Sequence, residues 1–268
     1  MKTYPRVLTI AGSDSCGGAG IQADIKAISA TGSYAASAIT AVTVQNTLGV
    51  EAVHAVPTDI LRGQIEAVLS DVGADAVKIG MLHSGELIRA VFEELDKFNI
   101  RNIVLDPVMV STSGHRLIEE EAIKVLRSVL IPCARVITPN VPEAEILSGM
   151  KIHSQAQLPE VARKLSCEGK VSVFMKAGHL SDSKLVDILY NAEEDHCLEL
   201  VSERVETPNT HGTGCTLSSA LASYLAQGLP LDDAAGAAKN YIAKAIESGA
   251  GYKIGNGHGP VNHFWMLK

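Results

Sequence analysis

Apolar residues fall in short runs separated by helical repeats along almost the whole chain. Residues 7–11 read as a buried strand. A glycine-rich turn follows, then a helix with Ile21, Ile25 and Ile28 on one face, stopped at Gly32. Residues 38–44 alternate and are rich in β-branched side chains, which predicts a strand. Leu61, Ile65, Val68 and Val72 recur at helical spacing. A strand at 76–79 precedes a helix capped by Ser84 and faced by Ile88, Val91, Phe92 and Leu95. A strand at 103–105 precedes a helix from about 119 to 130. A strand at 136–138 follows, then a helix announced by the capping-box pair Ser154 and Gln157, then a strand at 171–175. Residues 185–190, 197–201 and 205–207 read as successive strands with no helix between them. Two long helices close the chain, one starting near Gly214 and one over 232–248.

Repeated strand–helix–strand order predicts a mostly parallel sheet covered by helices on both faces. The run of strands after residue 185 predicts a few antiparallel strands at one edge. No linker-like segment and no fixed-period repeat divides the sequence, so residues 1–268 are expected to form one domain.

Composition sharpens this picture at a few points. Hydrophobic residues make up 46% and aromatics only 4%, which suits a packed α/β sheet better than an all-β domain. The net charge is −7 with no basic run, so a nucleic-acid footprint is not expected. A phosphorylated ligand must therefore find local donors. The first ten residues lack the long apolar run and cleavage site of a secretion signal, and no stretch of about 18 apolar residues is present. Five cysteines, odd in number and without a C-x-x-C pair, disfavour a disulfide scaffold and point to a reducing, cytoplasmic setting.

Candidate chemistry concentrates where strands end. The run Thr210-His211-Gly212-Thr213-Gly214-Cys215-Thr216 follows a predicted strand and opens a helix bearing Leu217, Ala220, Leu221, Tyr224 and Leu225. Two glycines there expose backbone N–H groups at the positive end of a helix dipole, which makes an anion site. Cys215 falls in the first turn, where a thiol pKa is expected to be lowered. The same pattern also fits a plain tight turn with a small buried hydrophobe. The turn Gly12-Ser13-Asp14-Ser15-Cys16-Gly17-Gly18-Ala19-Gly20 ends the first strand, where open α/β sheets place ligands. It lacks Gly-Lys-Ser/Thr and the G-x-G-x-x-G spacing, so it is neither a Walker loop nor a dinucleotide fingerprint. Asp24, in the following helix, is expected near the mouth of the site. Asp106, then Thr138, Asn140 and Glu143, and then Lys176 end three further strands. Carboxylates converging on one sheet edge suit Mg²⁺. The nine histidines show no H-E-x-x-H spacing, and no G-x-S-x-G is present.

Together these segments resemble hydroxymethylpyrimidine/phosphomethylpyrimidine kinases. The resemblance is carried by residues 8–15 and 17–24, Thr40-Ala41 with Gln45-Asn46-Thr47, Lys78-Ile79-Gly80-Met81, and Leu105-Asp106-Pro107-Val108-Met109. It continues through Thr138-Pro139-Asn140 with Glu143-Ala144, and through 210–216. It runs from the first strand to the penultimate helix, in order. It implies the ribokinase-like fold and two successive ATP-dependent phosphorylations of a hydroxymethylpyrimidine in thiamin biosynthesis. It also implies a homo-oligomer, a dimer by resemblance. The wider fold places an aspartate base where this chain has Cys215. By the same resemblance the pyrimidine would meet Gly12, Asp24, Gln45, Met81 and Val108. Asp106, Asn140 and Lys176 would meet ATP, Glu143 and Asp106 would hold Mg²⁺, and Gly212, Thr213, Gly214 and Cys215 would carry the transfer.

The nearest alternative is a pyridoxal or pyridoxine kinase of the same fold. A non-catalytic pyrimidine sensor is a second reading, which the phosphate-side groups Asp106, Glu143, Lys176 and Cys215 argue against. A nucleotide-dependent oxidoreductase is a third, disfavoured by the missing fingerprint. The serine-rich segment 110–116 is the candidate lid.

Overall fold

The computed structural model describes residues 3–109 and 117–267. The candidate lid at 110–116 lies outside them. Among the described residues a nine-stranded sheet runs in the order β3-β2-β1-β4-β5-β6-β7-β8-β9. These strands are β1 Arg6–Asp14, β2 Tyr34–Asn46, β3 Gly49–Ala55, β4 Ala76–Ile79, β5 Ile103–Leu105, β6 Val136–Ile137, β7 Ser172–Met175, β8 Lys184–Asn191 and β9 His196–Glu203. From β2 to β7 every pairing is parallel, while β3 at one edge and β8 and β9 at the other are antiparallel.

The parallel strands are buried on both faces, so their sequences are nearly continuous apolar runs. Strand parity then sorts the side chains. Leu8, Ile10, Val77, Ile79, Ile103 and Leu105 pack toward the helices α2 Thr58–Ala67, α3 Gly85–Lys97, α4 Glu120–Val125, α5 Val141–Ser148 and α6 Leu158–Leu165. Val7, Val104, Val136 and Phe174 pack toward α1 Gly20–Ala30, α7 Thr213–Ala226 and α8 Leu231–Gly249. All six parallel strands thus deliver their carboxyl ends to one edge of the sheet.

Several local expectations are corrected. Ile25 is 37% exposed; the buried face of α1 is instead Ile21, Ala23, Asp24, Ala27 and Ile28. Residues 205–207 form no strand; β9 ends at Glu203 and the chain leaves the sheet there toward the turn before α7. The edge strand β3 and the helix α5 were not anticipated. The helical stretches reaching Val72 and Leu130 end in one turn each of wider π-type hydrogen bonding, over Val68–Val72 and Leu126–Leu130.

Candidate active site

A cleft of about 630 Å³ opens along the carboxyl edge. Its walls include Gly12, Gln45, Met81, Val108, Asp106, Asn140, Glu143, Lys176, Gly212, Thr213, Gly214 and Cys215. Every candidate residue but one therefore meets in one cavity, from positions spread over two hundred residues.

The two glycine turns meet backbone to backbone. Gly212 has φ +82°, and a Cβ on it would lie 1.8 Å from the Gly18 carbonyl oxygen. A Cβ on Gly20 would lie 2.2 Å from the Gly12 oxygen. Only glycine permits either approach. Asp14 fastens the first turn: its Oδ1 accepts from the Cys16 N–H at 2.8 Å, and its Oδ2 from the N–H groups of Gly18 and Ala19 at 3.0 and 2.8 Å. His211 Nε2 lies 2.8 Å from the same Oδ2, which ties the second turn to the first. Asp14, Cys16 and His211 are close enough to suggest a metal cluster, but the Asp14 oxygens are already engaged by these partners. Gly212 is the N-cap residue of α7, so the first N–H groups of that helix face the cleft without a side-chain cap.

Opposite lies a buried charge cluster. Lys176 Nζ donates to Asp106 Oδ1 at 3.0 Å, and Thr138 Oγ1 donates to the same atom at 3.1 Å. Burial opposes ionisation of Asp106, but Lys176, Lys78 and these hydrogen bonds outweigh it and hold its carboxyl below the usual range. Glu143 and Asn140 form a capping box at the start of α5: Glu143 Oε2 accepts from the Asn140 N–H at 2.8 Å, and Asn140 Oδ1 from the Glu143 N–H at 2.9 Å. Burial pushes the Glu143 carboxyl up to about 7. Lys176 pulls it down and Asp106 pushes it further up.

Two expectations fail here. Cys215 does not have a lowered pKa. Burial pushes its thiol up to about 11, and the neighbouring carboxylates Asp24 and Asp106 add to this, against opposing help from Lys78 and the Gly20 N–H. The dipole of one helix turn is weaker than the loss of water. Asp24 is the one candidate that does not line the cleft. It is completely buried beneath the floor, bonded to Thr9, Lys78 and Ser219. Its position one turn into α1 turns it toward the sheet and not toward the mouth.

Other cleft residues escaped sequence reasoning. Lys78 lines the floor, and its signal was a lone lysine inside the apolar strand Ala76–Ile79. Asp187 and Lys239 pair at 2.7 Å near the far end, beside Ile242 and Ile246. The signal there was a lysine on the buried face of α8.

A family model described as phosphomethylpyrimidine kinase matches residues 14–262. The thiamine biosynthesis bifunctional protein ThiED of Geobacter sulfurreducens is 48% identical over 97% of this chain and 53% of its own. The hydroxymethylpyrimidine/phosphomethylpyrimidine kinase of Rhizobium meliloti is 46% identical over 96% of both chains. The chain thus spans about half the length of the bifunctional relatives it matches, and nearly all of the single-function ones. Among solved structures, an ADP complex of Bacillus subtilis pyridoxal kinase superposes with a TM-score of 0.90, at 36% identity over 98% of this chain and 99% of that one.

Proposed function

The chain belongs to the phosphomethylpyrimidine kinase family, with a ribokinase-like fold, and we propose that it transfers the γ-phosphoryl of ATP to a hydroxymethyl-bearing aminopyrimidine. A second transfer to the monophosphate then gives the diphosphate, for thiamin biosynthesis. The observation that carries the reading is the meeting, in one cleft, of an uncapped helix N-terminus with the cluster Asp106, Lys176 and Glu143.

In the transfer, the hydroxymethyl oxygen bonds to the γ-phosphorus while the bond from phosphorus to the bridging oxygen of ADP breaks. The hydroxyl proton leaves to a base, for which Cys215 as thiolate is the candidate. Phosphoryl transfer passes through a loose transition state, so positioning and anion stabilisation dominate. The N–H groups of Gly214 and Cys215 would supply fixed donors for the charge on the moving phosphoryl, while that of Thr213 already donates to the Thr210 carbonyl at 3.3 Å. Lys176 lies 3.3 Å from the point where Gly214 would carry a Cβ, so its ammonium reaches the same spot. Gly12, Met81 and Val108 would form the walls around the pyrimidine. Gln45, whose Oε1 accepts from Thr43 at 3.1 Å, would present its amide to a ring nitrogen and exocyclic amine. Asp24 acts from behind the floor. Asp106 and Asn140 would border the nucleotide phosphates, and the apolar side chains Pro142, Ile146, Leu217, Ile242 and Ile246 suit the nucleobase.

The residues fit Mg²⁺. Asp106 and Glu143 offer hard oxygen donors, and they are two buried carboxylates that share one lysine, so a cation held between them would favour their ionised forms. When bound, the ion would neutralise charge on the phosphate oxygens.

Residues 1–268 are read as one catalytic unit, which the continuous sheet supports. A homodimer is supported by the exposed Val42, Val44, Leu48 and Val53 on the β2–β3 ribbon. A cytoplasmic setting is supported by five unpaired cysteines. No helix among the described residues is long and apolar enough to cross a membrane.

A pyridoxal kinase is the second reading, favoured by the close superposition on the Bacillus subtilis enzyme. The higher identity to the Rhizobium meliloti relative, 46% against 36%, favours the pyrimidine. ADP release with hydroxymethylpyrimidine and with pyridoxal, assayed in parallel with ATP and Mg²⁺, separates them. The expected kcat/KM is higher for the pyrimidine; a preference for pyridoxal reverses the assignment.

A further inference from the structure

Beneath the cleft floor lies an ion pair that the mechanism above does not use. The side chains of Lys78 and Asp24 have no exposed surface. Strand parity puts Lys78 there. Val77 and Ile79 face the core under α2 and α3, so Lys78 between them faces α1 and α7, as does Thr9 of β1. Lys78 Nζ donates to both Asp24 oxygens, at 2.8 and 2.9 Å, and the hydroxyls of Thr9 and Ser219 donate to Asp24 at 2.6 and 2.7 Å. A buried ion pair is weak evidence for stability, since well-packed apolar residues serve as well or better. Its retention against a cleft asks for another reason.

The reason lies one helical turn away. Ser219, which touches Asp24, follows Cys215 by four residues on α7, so the two share one face of that helix. Cys215 therefore sits above the pair on the cleft side. Gly80 leaves room for the ammonium itself: a Cβ there would lie 2.9 Å from Lys78 Nζ. Cys215 lines the floor of the cleft, and Lys78 borders it from directly beneath.

We propose that Lys78, held in place by Asp24, is a positioning residue for phosphoryl transfer, whose fixed charge beneath the first turn of α7 offsets the negative charge that Cys215 and the hydroxymethyl oxygen take on as the proton moves. The proposal rests on the kinase reading above. The groups that face Cys215 are Lys78 from β4, Asp24 and the Gly20 N–H from α1, and Asp106 after β5; the Lys176 ammonium after β7 is charge-coupled to it. Lys78 favours the thiolate, whereas Asp24 and Asp106 oppose it.

The two partners therefore predict effects of opposite sign. The test is the alkylation rate of Cys215 by iodoacetamide at pH 8, resolved by peptide mass spectrometry, together with kcat, in wild type, Lys78→Met and Asp24→Asn. Lys78→Met is expected to slow alkylation roughly tenfold, the effect of about one unit in pKa, and to lower kcat with little change in the KM for ATP. Asp24→Asn keeps the ammonium without its counter-ion and is expected to speed alkylation. A merely structural role would move both variants the same way, and that result, or unchanged alkylation in Lys78→Met, overturns the proposal. If Lys78→Met does not fold, the double variant Asp24→Asn/Lys78→Met buries no charge. It is expected to fold and to show lower kcat, and wild-type kcat in it overturns the proposal. Alkylation needs no substrate. A wild-type enzyme that phosphorylates no pyrimidine, yet shows the opposite-signed alkylation effects, therefore removes the kinase reading and leaves the charge effect on Cys215 standing.

Discussion

A thiol held near pKa 11 is almost wholly protonated at neutral pH. If the thiolate is the base, its population rises roughly tenfold per pH unit below that value, so kcat is expected to climb with pH until another step limits it. Cys215→Ala should flatten that climb and lower kcat by ~10²–10⁴-fold, the usual scale for a positioned base. A flat wild-type profile, with a folded alanine variant turning over at near wild-type rate, would leave the helix N–H groups as the main catalytic device. Glu143 makes a separate prediction. Its carboxyl stands at about 7 in the folded chain against an ordinary 4.5. Burial as a carboxylate thus costs nothing below pH 4.5 and the full amount above pH 7, roughly 3 kcal/mol at most. Glu143→Gln should accordingly raise the thermal midpoint of the metal-free protein at pH 8.5 and not at pH 4.5. It should also raise the Mg²⁺ concentration needed for activity. Equal midpoints at pH 8.5 would show that Glu143 is not held against its charge. Neither value could be read from the sequence. Residue type and place in the chain were legible for Cys215 and Glu143, but the depth of burial that sets both pKa values is a property of the packed cleft.

Elements differ in how plainly they announce themselves. The parallel strands β1, β4, β5 and β7 were legible because both of their faces are buried and their runs are mostly apolar, interrupted by single polar residues such as Thr9 and Lys78. The strand β3 was not, because most of Gly49–Ala55 is exposed and carries no alternation to read. The helix α5 was hidden by Pro142, which looks like a breaker but stands in the first turn, where proline costs no hydrogen bond. The start of α7 was found from its glycines, and these permit a strict test. At φ +82°, with the Gly18 oxygen 1.8 Å from a new Cβ, Gly212→Ala must push the two turns apart. The expected result is a folded protein whose kcat falls by ~10²–10³-fold, as when an anion-hole donor is misplaced. Circular dichroism and kcat together check it, and a wild-type rate would mean that the turns need not touch.

At the scale of the whole molecule, the site was legible because topology gathers the ends of parallel strands at one edge, whatever their separation along the chain. Only Asp24 was misplaced: helical spacing places a residue along an element, but not the depth at which it lies. The other whole-molecule expectation concerns the β2–β3 ribbon, where Val44 is 55% exposed and Leu48 67%. Val44→Asp is expected to shift a dimer to monomer in light scattering after size exclusion; a monomeric wild type would remove the ribbon from consideration. The interlocked glycine turns have a consequence for descent as well as for chemistry. Where Gly212 meets the Gly18 carbonyl, no side chain stands at the contact to be exchanged, so apart from the Asp14–His211 tie beside it this part of the machine offers mutation almost nothing to vary. A lineage that changed its preferred acceptor would have to do so at the flanks, at positions such as Gln45, Met81 and Val108. The contact between the turns would pass unaltered while that preference changed.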